Sequence, residues 1–173
     1  MSDLRLPPGI RIRPIRRGDV VELERFYAGL SPDSLDARFH GATRGIGDRT
    51  ARSFCGSDHS HREGLVAVER VRPGRDVIVG HLCLEPVGGS ELEVAVAVTD
   101  PWQHHGIGRA LLTGAMDWAS THGYVRMHAA IRWSNPAIIG LLRSVHRPMT
   151  VVTGDEGDLE ALIEVGAEVP VAA

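Results

Sequence analysis

The residues best suited to chemistry lie in one continuous stretch, where a strand runs into a turn that opens a helix. Residues 91–99 are mostly small and apolar, residues 103–108 read Gln-His-His-Gly-Ile-Gly, and residues 106–120 carry apolar side chains at helical spacing. The first N–H groups of a helix lack carbonyl partners, and the helix dipole makes that end positive. The turn is therefore a candidate site for a phosphate or diphosphate group. The alternative is a plain strand-to-helix turn whose glycines serve only the backbone geometry.

A single carboxylate stands out within the strand that precedes this turn. Glu93 is followed by an apolar run from residue 94 to residue 98. A carboxylate in such a strand has to meet water, a partner or a substrate, which makes Glu93 the candidate for proton transfer. The alternative is a charge on an edge strand that keeps the sheet from pairing with another chain.

Several classes of protein are excluded by composition and spacing. A dinucleotide-binding fingerprint fails because Leu111 occupies its third glycine position and Arg126 lies where an acidic ribose ligand belongs. All 19 cationic residues are arginine, so a P-loop with its lysine is absent. The formal net charge of -3 gives no basic footprint for nucleic acid. No apolar run is long enough for a membrane span or a signal peptide, so we predict a cytoplasmic protein that binds neither nucleic acid nor membrane.

The cysteines and histidines of the first half do not form a recognisable metal motif. Cys55, His59 and His61 lie close in sequence, and His81 and Cys83 share one face of a strand. Their spacing matches no zinc site, so we predict two buried packing cysteines and no bound metal.

The elements around the turn predict a single domain over residues 1–173 with a mixed α/β (α+β) fold. A strand (10–14) and a helix (18–30) come first, and a second short helix begins near Ser31 before a loop at residues 41–47. Residues 64–69, 77–85 and 91–99 predict an antiparallel meander. A helix, a strand (125–133) parallel to its predecessor and a helix (135–145) follow. Residues 149–153 and 159–165 favour a closing hairpin, with a short acidic helix after Asp158 as the alternative.

This arrangement resembles the GNAT superfamily of acyl-CoA-dependent N-acyltransferases over almost the whole chain. The family's pyrophosphate loop reads [RQ]-x-x-G-x-[GA] after a strand, and residues 103–108 match every fixed position. The resemblance implies a mostly antiparallel, splayed sheet flanked by helices, whose parallel fourth and fifth strands part around the pantetheine arm of acetyl-CoA, the cosubstrate. It also implies a general-base role for Glu93, which would remove a proton from the incoming ammonium so that the neutral amine can attack the thioester directly.

The resemblance assigns the cofactor-binding residues position by position. Main-chain groups of Val96 and Val98 would bond the pantetheine, and Asn135 would contact it from the next helix. The residues expected around the pyrophosphate are Gln103, His104, His105, Gly106, Ile107, Gly108, Arg109 and Ala110. Because coenzyme A is a polyanion, we expect protonated His104 and His105 to favour binding, so that affinity falls as pH rises.

The acceptor is less specified than the cofactor. Residues 10–15, 30–31 and 37–41 resemble the acetyltransferase domain of bacterial protein-lysine acetyltransferases, which implies a protein lysine as acceptor and allows a homodimer. A small-molecule amine is the alternative acceptor. Leu142 stands where many relatives have a tyrosine that protonates the departing thiolate. In an enzyme without that tyrosine, solvent, Ser144 or His146 would have to donate the proton. The absence of the tyrosine also leaves a noncatalytic acyl-CoA sensor as an alternative function.

Overall fold

A computed structural model describes residues 6–41, 43–132, 135, 137–154 and 158–166. Short 3₁₀ turns lie at Arg17–Asp19 and Asp100–Trp102. The strands are β1 (Ile10–Pro14), β2 (Glu63–Arg72), β3 (Arg75–Gly88), β4 (Glu91–Val98), β5 (Arg126–Ile131), β6 (Met149–Thr153) and β7 (Leu159–Glu164). The helices are α1 (Val20–Ala28), α2 (Pro32–Phe39), α3 (Asp48–Cys55), α4 (Ile107–Thr121) and α5 (Ala137–Arg143).

The seven strands form one sheet in the order β1-β2-β3-β4-β5-β7-β6. β2, β3 and β4 pair antiparallel, as the three-stranded meander predicts, and β1 joins them antiparallel to β2. The closing segment is the predicted hairpin rather than an acidic helix. β4 and β5 run parallel but share only three residue pairs, the last of which is Glu93 with His128. Beyond that pair the two strands separate, so the predicted splayed sheet is confirmed.

Two apolar clusters lie on opposite faces of the sheet. One contains buried residues of α4 together with the inward side chains of β4, β5 and β7, such as Leu111, Met116 and Met127. The other packs α1 and α3 against β2 and β3 around the fully buried Tyr27. Cys55 and Cys83 are unpaired and buried, at 2% and 6% exposure, as expected of packing cysteines. Within the described ranges, no helix has the length and apolar content needed to cross a membrane.

The helix α3 is an element that the sequence pattern does not predict. Residues 48–55 are mostly polar, and only Ala51 and Cys55 are buried, one helical turn apart. So narrow an apolar stripe is hard to distinguish from a loop. The end of the predicted strand at Trp133, the proline of the helix start at Pro136, the hairpin turn 155–157 and the C-terminal residues 167–173 lie outside the described residues.

Candidate active site

A cleft of about 1270 Å³ occupies the space between the separated halves of β4 and β5. Its walls come from residues 93–98 of β4, residues 129–131 of β5, the turn before α4, and parts of α2 and α5. The predicted site residues that line it are Glu93, Val96, Val98, Gln103, His104, Gly106, Gly108, Arg109 and Asn135. The cleft therefore brings together most of the residues that the sequence selects.

Three predicted residues contribute no side chain to this cleft. Ile107 is 1% exposed and packs in the core, so only its main chain can face an anion. The ring of His105 lies edge-on to Trp102, and its Nδ1 atom is 2.7 Å from the carbonyl oxygen of Gln103. Ala110 closes the first helical hydrogen bond, from its N–H to the Gly106 carbonyl at 3.0 Å.

The turn before α4 has the backbone geometry of an anion site. Gly106 adopts φ 82°, which is costly for any residue with a side chain, and His104 adopts φ 62°. The N–H groups of residues 107–109 precede the first helical bond and so have no carbonyl partner within the helix. The Nε atom of Arg109 is also buried without a hydrogen-bond partner among the described residues. All of these donors belong to the turn at which the sequence predicts a diphosphate.

The two glycines of the turn are required for different reasons. Gly106 has open space around it and is needed for its positive φ. A Cβ at Gly108 would lie 3.1 Å from a methyl carbon of Leu141, so a bare Cα there lets α5 pack against α4. Gly106 is thus required by the backbone of the turn, and Gly108 by the packing of two helices.

The edge of β4 that faces the cleft presents main-chain groups at the predicted positions. The N–H of Thr99 donates to the Val79 carbonyl of β3 at 2.9 Å. Because N–H and C=O groups of successive strand residues point to opposite edges, those of Val98 and Val96 point away from β3 and toward the cleft. The pantetheine arm of coenzyme A carries two amide groups, which can form hydrogen bonds with such an edge.

The side chain of Gln103 has a role that the motif alone does not reveal. Its Nε2 atom donates to the Val98 carbonyl and to Ser34 Oγ, both at 3.1 Å. Asp100 accepts from the N–H and hydroxyl of Ser31, at 3.1 and 2.8 Å, and from the Ser34 hydroxyl at 3.0 Å. Desolvation opposes the charged carboxylate, but these hydrogen bonds outweigh it and lower the pKa of Asp100. The start of α2 is thus tied to the turn.

Glu93 is exposed on β4, so its carboxylate can meet water or a substrate, as its place in an apolar strand requires. Its Cα partners are Glu85 on β3 and His128 on β5. A recess of about 240 Å³ opens beside it, with walls from Arg38, Phe39, Phe54, Cys83, Glu85, Glu93 and Ala95. The carboxylate therefore lies where the cleft meets a second, smaller space.

The wall of that recess contains a polar cluster that sequence reasoning missed. The guanidinium of Arg38 lies over the rings of Phe39 and Phe54, at 4.8 and 5.7 Å from their centroids, and donates to Cys83 Sγ at 3.2 Å. Behind it, the Tyr27 hydroxyl is 2.8 Å from His81 Nδ1. Burial, with a smaller effect of the Arg38 charge, lowers the pKa of His81 to about 3, so the ring is neutral. The sequence signal for this cluster is limited to the adjacent Arg38 and Phe39 of α2.

The position of the missing tyrosine is confirmed as apolar. Leu142 is 1% exposed at the cleft wall, and neither Tyr27 nor Tyr124 lines the cleft. Ser144 does line it, but its hydroxyl donates to the Leu141 carbonyl at 2.6 Å. Among the described residues, no tyrosine is in place to protonate a thiolate.

The sequence profile of the acetyltransferase (GNAT) family matches residues 31–146. The chain belongs to the GNAT family. No curated protein sequence matches it significantly. Among solved structures, the GNAT domain of Streptomyces lividans PAT is 23% identical, with a TM-score of 0.80 and 90% of each chain covered. The Salmonella typhimurium acetyltransferase yncA, solved with acetyl-CoA, is 20% identical over 95% of this chain and 97% of that one, with a TM-score of 0.70.

A third GNAT structure has a small-molecule activity in its name. It is the phosphinothricin acetyltransferase of Sinorhizobium meliloti with acetyl-CoA, 18% identical over 90% of this chain and 87% of that one, with a TM-score of 0.69. Identities this low establish a shared fold. As a GNAT acetyltransferase, the chain is an acetyl-CoA-dependent enzyme, and its unpartnered N–H groups, the buried Arg109 Nε and the amide-presenting edge of β4 fit that cosubstrate.

Proposed function

We propose that this GNAT enzyme acetylates a primary amine by direct attack, with the amine entering beside Glu93 and acetyl-CoA lying in the cleft. The supporting observation is that β4 and β5 separate immediately after the Glu93–His128 pair, while the free N–H groups of α4 lie at the other end of the cleft. When bound, acetyl-CoA supplies the activated acetyl group. Residues 103–110 hold its diphosphate, and Val96, Val98 and Asn135 contact its pantetheine arm.

Glu93 acts in this proposal as the general base. An ammonium has no lone pair, so it must lose a proton before its nitrogen can attack a carbonyl carbon. The Glu93 carboxylate is exposed at the junction of the cleft and the recess, where it accepts that proton directly or through one water molecule. Solvent protonates the departing thiolate, because the tyrosine position is Leu142, the Ser144 hydroxyl is engaged and His146 does not line the cleft.

A lysine side chain of another protein is the acceptor that we favour. The residues that resemble protein-lysine acetyltransferases, 37–41, lie at the end of α2, and four of them form part of the cleft wall. The phenyl rings of Phe39 and Phe54 beside Glu93 offer an apolar wall for an aliphatic stem that ends in an amine. The unpaired Cys55 and Cys83 are compatible with a reducing compartment such as the bacterial cytoplasm.

A release assay on the purified protein tests this proposal. We expect free thiol to appear from acetyl-CoA when a lysine-containing proteome digest is added, with acetyl-lysine found by mass spectrometry on a limited set of peptides. A panel of small amines, including amino-acid analogues, is run in parallel. Turnover on small amines alone would favour the alternative acceptor class, and acetyl-CoA binding without turnover on either would favour a sensor.

A further inference from the structure

His128 lies at the point where the cleft begins. Its Cα partner on β4 is Glu93, and this is the last of the three pairs that join β4 to β5. On its other side, β5 pairs antiparallel with β7 over six residues. His128 thus belongs to the last residue pair before β4 and β5 separate, and it lies next to the proposed base.

Both ring nitrogens of His128 face carboxylates on different strands. Nε2 is 2.6 Å from Glu91 Oε2 on β4, and Nδ1 is 2.8 Å from Glu160 Oε1 on β7. An ionised carboxylate only accepts hydrogen bonds, and a neutral imidazole has only one N–H to donate. Both contacts are satisfied together only when the ring is the doubly protonated imidazolium.

The surrounding charges favour that protonated form. The charged groups that face His128 are Glu91 and Glu93 from β4, Arg126 from its own strand, and Glu160 and Glu164 from β7. Arg126 pairs with Glu91 at 2.9 Å and with Glu164 at 3.1 Å. Partial burial disfavours the charged ring, but the hydrogen bonds to Glu160 and Glu91 outweigh it and raise the pKa of His128.

Building on the proposed role of Glu93, we propose that His128 is a positioning residue whose imidazolium ties β4 to β7 across β5 and thereby holds the Glu93 segment in place at the start of the cleft. Loss of one proton removes one of the two hydrogen bonds and leaves one carboxylate without a donor from the ring. The first residues of β4 are then held to β5 by fewer contacts, and Glu93 loses its fixed position relative to the amine. Catalysis consequently declines at alkaline pH.

The protonation state can be measured without any substrate. The full-length protein is labelled with ¹⁵N-histidine, and the His128 signals are assigned by their absence in His128→Gln. An ordinary histidine titrates at about pH 6.5, and we expect both ring nitrogens of His128 to keep the chemical shifts of an imidazolium well above that pH. The variant Glu160→Gln, which removes one acceptor charge, lowers the midpoint. A His128 midpoint at or below pH 6.5 would overturn the inference, and it would leave the proposed acetyl transfer untouched.

Kinetics then separate positioning from a merely structural role. At saturating substrates, we expect wild-type kcat to fall above the midpoint measured by NMR. His128→Gln should lower kcat about fivefold, because the loss of one hydrogen bond costs ~1 kcal/mol. The variant should also show no decline of kcat at alkaline pH. His128→Arg keeps a permanent cation with several donors, so it should recover part of kcat without any alkaline decline.

Two control measurements complete the test. The acetyl-CoA Kd of His128→Gln, measured by calorimetry, should remain within about twofold of wild type. The reason is that the pantetheine arm lies in the cleft beyond the Glu93–His128 pair. His122→Gln, at an exposed ring stacked on Trp118, should leave the kcat profile unchanged. If His128→Gln and wild type show parallel pH profiles, the positioning role is wrong even if the variant is less stable.

Discussion

At the proposed cofactor end of the cleft, residues 96–110, most candidate binding groups come from the main chain, whereas at the proposed acceptor end they are side chains from α2, α3, β3 and β4. The backbone conformation decides whether the N–H groups of residues 107–109 and the unpaired edge of β4 are available to a ligand. The recess beside Glu93 depends on Arg38, Phe39 and Phe54, which meet only in the folded chain. The cofactor end should therefore be sensitive to backbone strain, and the acceptor end to side-chain identity.

The largest expected effect comes from Glu93→Gln at the acceptor end. The amide keeps the shape of the side chain but cannot take a proton, so kcat should fall about 100-fold or more. Acetyl-CoA affinity, measured by calorimetry, should stay within about twofold of wild type because the cofactor end is untouched. The matched control is Glu85→Gln, which changes the register partner of Glu93 on β3. Equal losses in the two variants would show that the local negative charge, rather than a base, is what matters.

The second prediction concerns the stability of the acceptor end. His81 is held neutral in the fold, with a pKa of about 3, whereas an unfolded histidine titrates near pH 6.5. The unfolded chain therefore binds more protons between these values, so the free energy of unfolding falls as pH decreases below 6.5, by at most about 1.4 kcal/mol per pH unit.

Urea unfolding of wild type and His81→Gln from about pH 7 to pH 4.5 measures this loss. The variant has no imidazole to protonate at this position, so its pH dependence should be shallower. Parallel pH curves would show that other groups control acid sensitivity and that the neutral state of His81 contributes nothing. Tyr27→Phe, which keeps His81 and removes its partner hydroxyl, should retain the wild-type direction.

The same contrast explains how much of the molecule could be predicted from the sequence. The turn at residues 103–108, the parallel strands and the separation of β4 from β5 follow from glycine spacing, apolar runs and the family resemblance. The stacking of Arg38 on Phe54 and the hydrogen bonds among Ser31, Ser34, Asp100 and Gln103 join segments up to about 70 residues apart and leave no local periodicity. The recess beside Glu93 is lined by residues of α2 and α3, and α3 itself was not predicted.

A smaller effect is expected from the backbone of the cofactor end. Gly106→Ala forces a side chain into φ 82°, at a cost of about 1–2 kcal/mol that the turn can relieve by changing shape. We expect acetyl-CoA affinity to fall about fivefold, with the amine KM unchanged. Gly123→Ala is the control, since Gly123 has φ 80° and open space just beyond the other end of α4.

The comparison of these two glycine variants decides between strain and binding. Both variants should lose similar thermal stability. Only Gly106→Ala should weaken acetyl-CoA binding, because Gly106 lies in the turn that begins α4 and faces the cleft. An affinity loss of the same size in Gly123→Ala would mean that α4 as a whole, rather than its first turn, controls binding. Unchanged affinity in both would remove the anion-binding role of the turn.

The smallest expected effect separates two adjacent histidines of the turn. His104 lines the cleft, whereas His105 lies against Trp102 with its Nδ1 atom on the Gln103 carbonyl. The side chain of His104 can carry a positive charge beside the polyanionic cosubstrate, so we expect His104→Gln to weaken acetyl-CoA binding about two- to threefold. His105→Gln should leave the affinity, measured by calorimetry, equal to that of wild type. If His105→Gln is the variant that weakens binding, the His105 side chain contacts the anion, and the turn must rearrange on binding.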